Sequence, residues 1–184
     1  MTAVDWSALP APADDGAAAH LPGMVLPSVA LPCTAGDPVD LSALTGRLVV
    51  YAYPMTAAPG APPPDGWDVI PGAKGCTPQS CGFRDHAAEL RALGVDHLYG
   101  VSTQSTEEQA EAAARLALGF GLLSDRELRL ARAMRLPRFE AAGRTLLKRL
   151  AFVARDGRIE KVFYPVFPPD RNAQEVIDWL RGAG

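Results

Sequence analysis

The sequence predicts an α/β fold in which a central mixed β-sheet is flanked by helices on both faces. Three observations support this fold class. The β-branched and aromatic run RLVVYAY at 47–53 is typical of a buried central strand. Between residues 47 and 118, strand-like and helix-like patterns alternate. Near the end of the chain, two apolar runs flank Asp156-Gly157, a dipeptide that is typical of a β-hairpin turn.

The other elements follow in chain order. Strands are expected at 24–33, 36–44 and 95–102, and helices at 83–93, 105–118, 125–134 and 172–184. Ser105 or Thr106, followed by Glu107 and Glu108, suits a helix N-terminus. The order of strands and helices predicts a thioredoxin-like architecture with an N-terminal strand extension.

The length of 184 residues indicates one domain. Residues 1–22 are rich in Ala, Pro and Asp, and we expect a flexible or loosely draped arm there, followed by the domain at 23–184. Residues 54–75 contain six prolines and four glycines, so neither a helix nor a regular strand can run through them. This insertion loop is either a functional lid or an exposed decoration.

Composition excludes several function classes. Hydrophobic residues make up 48% of the chain and charged residues 21%, as in ordinary soluble proteins. A net charge of -3 gives no reason to expect nucleic acid or an acidic membrane as partner, and the basic residues between Arg126 and Arg158 are interrupted by acids. The N-terminal segment lacks a secretory signal pattern, and no apolar run approaches the ~20 residues of a membrane span. We therefore expect a cytoplasmic protein.

Two cysteines lie close together in GAKGCTPQSCGFRDH at 72–86, namely Cys76 and Cys81. Thr77 and Pro78 are typical of a helix start, with threonine as the N-cap. Cys76 then lies at or just before the helix N-terminus, where unpaired backbone N–H groups and the helix dipole favour an anion. We expect its thiolate form to be populated, with Lys74 as an additional positive charge.

The spacing of the two cysteines indicates a redox couple. Helical residues five apart are separated by ~7.5 Å of rise, whereas disulfides rarely tolerate Cα separations above ~7 Å. The bond can form only if the first turn unwinds, and Gly75, Pro78 and Gly82 weaken that turn. A zinc site, a static disulfide and a coincidental pair of buried cysteines remain alternatives. The third cysteine, Cys33, is expected to be a bystander.

Five segments together resemble a peroxiredoxin of the bacterioferritin-comigratory or Q type. They are YP at 53–54, GCTPQSCGFRD at 75–85, LYGVSTQS at 98–105, LLSD at 122–125 and KRLAFVARDGRI at 148–159. The resemblance extends over about residues 24–182. It implies a thioredoxin-like fold, no cofactor, and reduction of hydrogen peroxide or organic hydroperoxides with electrons from thioredoxin or a similar dithiol. We further expect a monomer.

The resemblance also implies roles for individual residues. Cys76 matches the peroxidatic cysteine, Cys81 the resolving cysteine, and Arg149 the arginine that holds the thiolate and polarises the peroxide. Arg suits that role because it is permanently charged and offers a planar fork of donors. Lys148 and Arg144 are rivals for this position.

Some positions depart from the family pattern. A Thr or Ser three places before the peroxidatic cysteine is replaced by Ala73, and Pro54 lies 22 positions upstream of that cysteine. Thr56 is a candidate to fold back and supply the missing hydroxyl. Gln79 stands where the family often has an acidic residue.

Three functions stay open at this point. The first is a thiol peroxidase that acts through Cys76, Cys81 and Arg149. The second is a thiol–disulfide exchange or redox-sensing protein on the same fold, with weak peroxidase activity. The third is a non-catalytic interaction domain that binds a partner through the loop at 54–75.

Overall fold

The computed structural model describes residues 4–183. Residues 1–3 of the predicted arm and residue 184 of the predicted domain lie outside the described part. The strands of the main sheet are β1 (Ala30–Cys33), β2 (Gly36–Asp40), β3 (Arg47–Ala52), β4 (His97–Ser102), β5 (Gly121–Ser124), β8 (Leu150–Arg155) and β9 (Arg158–Phe163). Two further strands, β6 (Arg138–Ala141) and β7 (Arg144–Leu147), form a separate hairpin.

The seven-stranded sheet has the order β2-β1-β5-β4-β3-β8-β9. Strands β3, β4 and β5 run parallel to one another, and the remaining pairs are antiparallel. The sheet is therefore mixed, as the sequence predicts. Strand β3 lies near its middle and is buried on both faces, because consecutive side chains of a strand point to opposite sides.

Helices cover both faces of this sheet. They are α1 (Cys76–Asp85), α2 (Ala87–Ala92), α3 (Thr106–Arg115), α4 (Arg129–Ala133) and α5 (Asn172–Gly182). On one face Val49 and Tyr51 of β3 pack in a core with residues of α1, α2 and α5. On the other face Leu48 and Val50 pack with residues of α4 and with Leu21. The predicted α/β fold class, with helices on both faces of a central mixed sheet, is confirmed.

Several local predictions are confirmed. Asp156-Gly157 forms the turn between β8 and β9, with φ of 47° and 78°. Ser105 is the N-cap of α3 and completes a capping box with Glu108, which satisfies two backbone N–H groups at the helix start.

Other elements differ from the sequence prediction. Strand β5 and the hairpin β6–β7 were not predicted, because four-residue strands carry too little periodicity to be distinguished from loop. Helix α4 is shorter than the predicted 125–134, since the Asp125 carboxylate accepts the N–H groups of Leu130 and Ala131 and the segment before them is a turn. The first predicted helix is split in two at His86.

The insertion loop at 54–75 contains one 3₁₀ turn, Trp67–Val69. The buried indole of Trp67 packs against Phe139 of the hairpin β6–β7, with ring centroids 6.4 Å apart. At the other end of the loop, Arg115 of α3 donates to the carbonyl of Ala57 over 3.1 Å. The loop is therefore attached to the domain at both ends.

The segment before residue 22 also makes defined contacts. Ala18 and Leu21 are buried in the core, and the His20 ring nitrogen lies 2.8 Å from the carbonyl oxygen of Met134. The division of the chain into an arm and a domain at residue 22 stays a prediction. Among the helices that the structure describes, none combines the length and the apolar character that a bilayer span requires.

Candidate active site

Helix α1 begins at Cys76, and Gly75 is its N-cap. The prediction that Thr77 is the N-cap was wrong, because Thr77 lies inside the first turn. Gly75 has φ of 111°, which L side chains rarely adopt, and a Cβ there would lie 2.4 Å from Cγ of Pro169. Glycine therefore lets the backbone pass beneath Pro169 directly before Cys76.

The sulfur of Cys76 is buried and has two polar neighbours. Its Sγ lies 3.7 Å from the carbonyl oxygen of Ala73 and 3.3 Å from Nη2 of Arg149, which donates to it. The side chain is 5% exposed, so small molecules have only narrow access to it. A permanent positive charge and the N-terminal end of a helix thus converge on one sulfur atom.

Arg149 directly precedes β8 and is itself buried, with 3% of its surface exposed. Its Nη1 donates to the side-chain oxygen of Gln79. Its Nη2 also lies within 3.2–3.4 Å of the carbonyl oxygens of Gly72, Ala73 and Lys74. These acceptors hold the guanidinium in one orientation against the start of α1. A buried charge needs such partners, because desolvation without them is costly.

The two rival basic residues lie elsewhere. Arg144 makes a two-pronged ion pair with Glu108 of α3, at 2.9 and 3.0 Å. Lys148 pairs with Asp15 at 2.6 Å. Of the three candidates, the structure brings Arg149 to Cys76.

Cys81 lies on the same helix as Cys76 and is half-buried, and both are free thiols in the structure. The continuous helix keeps the two cysteines unbonded, as expected for the reduced state. Cys33, on β1, is a third free thiol and is buried on the far side of the sheet, where its Sγ packs against Gly121. Within residues 4–183, no three His, Cys, Asp or Glu side chains are placed to hold a metal ion.

Comparison with known proteins identifies the family. The redoxin family matches residues 21–177 of this chain. Peroxiredoxin Bcp of Escherichia coli strain K12 is 32% identical over 164 residues, which cover 86% of this chain and 94% of that protein. The chain is a peroxiredoxin of the Bcp or Q type. The sequence resemblance and the thioredoxin-like fold that it implies are confirmed.

Further relatives agree with this assignment. The chloroplastic peroxiredoxin Q of Sedum lineare is 29% identical over 161 residues, covering 86% of this chain and 77% of the plant protein. The crystal structure of peroxidoxin BcpB from Mycobacterium tuberculosis superposes with a TM-score of 0.71 at 26% identity, covering 90% of this chain and 99% of that chain. This peroxiredoxin therefore matches both relatives over most of its length.

The peroxiredoxin site has features that the sequence did not reveal. Gln79 is fully buried and links Arg149 to α5, since its amide nitrogen donates to Oδ1 of Asn172 over 2.9 Å. Tyr51 donates from its hydroxyl to Ser80 on α1 over 3.0 Å and stacks on Phe83. No local pattern indicates these pairs, because their members are 29 to 93 residues apart in the chain.

Two buried tyrosines lie in the same core as Cys76. Burial raises the pKa of Tyr51 well above its usual value, and proximity to Tyr53 adds to the rise. Burial likewise raises the pKa of Tyr53, and the charge on a Cys76 thiolate contributes to the rise. Both tyrosines are therefore neutral at physiological pH and bring no negative charge near the thiol.

Thr56 is the candidate for the missing hydroxyl, and it is hydrogen-bonded to Gln104 and not to the thiol of Cys76. Its hydroxyl donates to the side-chain oxygen of Gln104 over 3.1 Å, and its backbone N–H donates to the same oxygen over 2.8 Å. The methyl group of Ala73 is fully buried in an apolar cluster with Trp67 and Leu146. Ala73 carries no hydroxyl, and the hydroxyl of Thr56 is bonded to Gln104 instead of to Cys76.

Proposed function

We propose that this peroxiredoxin reduces hydroperoxides through Cys76 as the peroxidatic cysteine, with Arg149 holding its thiolate and Cys81 resolving the oxidised product. The observation that supports this most directly is the 3.3 Å contact between Arg149 Nη2 and Cys76 Sγ at the first position of α1. An immobilised guanidinium beside a sulfur can stabilise both the thiolate and the negative charge that develops on a peroxide oxygen.

In the first step, the Cys76 thiolate attacks the terminal oxygen of ROOH. The S–O bond forms and the O–O bond breaks, so the sulfur is oxidised by two electrons to a sulfenic acid and the peroxide is reduced. The leaving alkoxide takes a proton and departs as ROH, which is water when the substrate is hydrogen peroxide. We expect Arg149 and the backbone N–H groups of Cys76 and Thr77, at the N-terminal end of α1, to stabilise the developing negative charge.

In the second step, the thiolate of Cys81 attacks the sulfenic sulfur of Cys76. The S–S bond forms and the hydroxyl leaves as water after protonation. Since both residues lie on α1, the first turn must open for the sulfur atoms to meet. An external dithiol, thioredoxin or a similar protein, then reduces this disulfide by exchange and becomes a disulfide itself.

Two accompanying expectations stay proposals. We propose that the protein works in the cytoplasm, where thioredoxin-type donors keep such a disulfide reduced. We also propose that one chain suffices for the cycle, because Cys76, Cys81 and Arg149 all belong to the same fold.

The test is steady-state consumption of hydrogen peroxide coupled to NADPH oxidation through thioredoxin and thioredoxin reductase. We expect turnover by the wild type, none by Cys76→Ser, and unchanged turnover by Cys33→Ser as the matched control. In Cys81→Ser, Cys76 should be oxidised once to a sulfenic acid, and thioredoxin should then support no further turnover. A wild type whose Cys76–Cys81 disulfide exchanges with thioredoxin, but which does not consume peroxide, would indicate the exchange protein instead.

A further inference from the structure

A segment outside the family match crosses the candidate active site. Residues 5–16, here called the N-terminal strap, precede the redoxin match, which begins at residue 21. The Trp6 indole donates to Asp170 over 2.8 Å and packs edge-on against Phe167. Its ring also lies over Gly75, where a Cβ would be 2.9 Å from Trp6 Cη2. One end of the strap thus covers the residue that precedes Cys76.

The other end of the strap is fastened next to Arg149. The carboxylate of Asp15 accepts from Lys148 over 2.6 Å and from the Tyr164 hydroxyl over 2.7 Å. These two contacts lower the pKa of Asp15, so the carboxylate is ionised at physiological pH and both contacts persist there. Between the two ends, Pro12 packs against Gly72, whose carbonyl accepts from Arg149.

The strap forms one wall of a cavity of about 330 Å³. Its walls include Pro12 and Ala13 of the strap, Ile70 of the insertion loop, Phe139, Tyr164 and Arg149. Lys148 is a further wall residue, and most of the surface that faces the cavity is apolar. The volume falls within the range of small-molecule pockets, about 300–1,000 Å³.

The cavity adjoins the reacting sulfur through Arg149. The same Nη2 that donates to Cys76 Sγ also bonds the carbonyl of Gly72, another residue of the cavity wall. Arg149 Nε is buried and has no hydrogen-bond partner among the described residues. A molecule whose polar end reaches this guanidinium would therefore place its remaining atoms in the apolar cavity.

We infer that the N-terminal strap is a specificity element that binds the hydrocarbon substituent of organic hydroperoxides. This inference rests on the proposed peroxidase function and adds to it a contact that distinguishes organic hydroperoxides from hydrogen peroxide. Hydrogen peroxide has no carbon atoms, so the apolar wall adds nothing to its binding free energy. An alkyl or aryl substituent leaves water for the cavity, which favours its binding in proportion to the apolar area buried.

The experiment measures kcat/KM for cumene hydroperoxide and for hydrogen peroxide in the full chain and in three variants. Ala13→Leu fills the cavity from the strap, and Asp15→Asn weakens the contacts to Lys148 and Tyr164. Asp14→Asn is the matched control, because it makes the same charge change one residue earlier, at a carboxylate that accepts from the N–H of Gly16 within the strap.

We expect the ratio of kcat/KM for cumene hydroperoxide to that for hydrogen peroxide to fall about tenfold in Ala13→Leu, mainly through KM. This is the size of effect that loss of a methylene-sized contact in an apolar pocket produces. Asp15→Asn should lower the ratio less, and Asp14→Asn should leave it unchanged. If the wild type consumes both peroxides and the ratio is the same in all variants, the strap inference is overturned while the peroxidase function stands. If the wild type consumes neither peroxide, the proposed function itself fails.

Discussion

Thr56 and Gln104 lie 48 residues apart in the chain and are joined by three hydrogen bonds. Gln104 accepts both the hydroxyl and the backbone N–H of Thr56, and its own amide nitrogen donates to the Thr56 carbonyl over 3.0 Å. Both side chains are buried. The pair anchors the start of the insertion loop, and it gives the Thr56 hydroxyl a structural partner away from Cys76.

A first prediction concerns the hydroxyl that the family pattern places at Ala73. In Thr56→Val, we expect the rate of Cys76 oxidation to stay within about twofold of the wild-type rate. The free energy of unfolding should fall by ~0.5–1.5 kcal/mol, because one hydrogen bond is lost. Ala73→Ser should also fail to accelerate oxidation, because its side chain points into the cluster of Trp67 and Leu146. The buried hydroxyl of Ala73→Ser would have no hydrogen-bond partner in that cluster, and the free energy of unfolding should fall by ~1–3 kcal/mol. Stopped-flow oxidation by hydrogen peroxide and urea unfolding measure both effects, and a tenfold change in rate in either variant contradicts this account.

A second prediction concerns Arg149. Replacement by Met removes the charge and the donor beside Cys76, so sulfenic acid formation should slow by ~10²–10³, as for loss of one positioned donor in other enzymes. Alkylation of Cys76 by iodoacetamide at pH 7 should slow as well, because the thiolate loses its positive neighbour. Both rates are measured in a Cys33→Ser, Cys81→Ser background, where Cys76 is the single thiol.

Arg144→Met serves as the control for Arg149→Met. It removes an arginine five residues away that pairs with Glu108 on the surface instead of with the thiol. Equal slowing by the two substitutions would mean that general positive charge, and not the contact of Arg149 with Cys76, activates the sulfur.

A third prediction concerns the opening of α1. Since Cys76 and Cys81 lie five residues apart on one helix, their disulfide should increase amide hydrogen exchange at residues 76–82. The N–H groups of α3, Thr106–Arg115, provide an internal reference in the same sample. Mass spectrometry after mild peroxide treatment should find Cys33 still reduced. In Cys81→Ser, which cannot form the bond, exchange in α1 should stay at the reduced level.

A fourth prediction follows from the ion pair between Glu108 and Arg144. The hydrogen bonds from Arg144 lower the pKa of Glu108 to about 2. A carboxylate whose pKa is depressed by folding stabilises the native state above its unfolded pKa, near 4.5, and this contribution is lost as pH falls toward 2. Because the pair is partly exposed, we expect only ~0.2–1 kcal/mol at pH 7.

Urea unfolding of the wild type and of Arg144→Met at pH 7 and at pH 2 measures this contribution. The difference in unfolding free energy between the two proteins should be present at pH 7 and should shrink at pH 2. A difference that stays constant between these pH values would show that Arg144 stabilises the protein through packing and not through its charge.

The sequence by itself determined the features that depend on neighbouring residues. The apolar run at 47–53 predicts a strand buried on both faces, and β3 is such a strand. Asp156-Gly157 predicts a tight hairpin, because these residues tolerate the positive φ that such a turn requires. The position of Cys76 at a helix start could likewise be predicted from the residues around it, although the N-cap proved to be Gly75.

Only the tertiary structure decided which distant residues meet. Arg144, Lys148 and Arg149 lie within six residues of one another, and the sequence offers no reason to prefer one of them apart from the family resemblance. Their side chains reach three different partners, because strand pairing and the approach to β8 direct each backbone position to a different side of the molecule.

The tertiary structure likewise decided which residue Thr56 bonds and where the N-terminal strap crosses the candidate active site. Each depends on contacts between segments that are far apart in the chain, at Gln104 for the first and at Lys148 and Asp170 for the second. Local propensity acts over a few residues and carries no information about such contacts. Packing of the whole domain fixes the distances on which these hydrogen bonds and ion pairs depend.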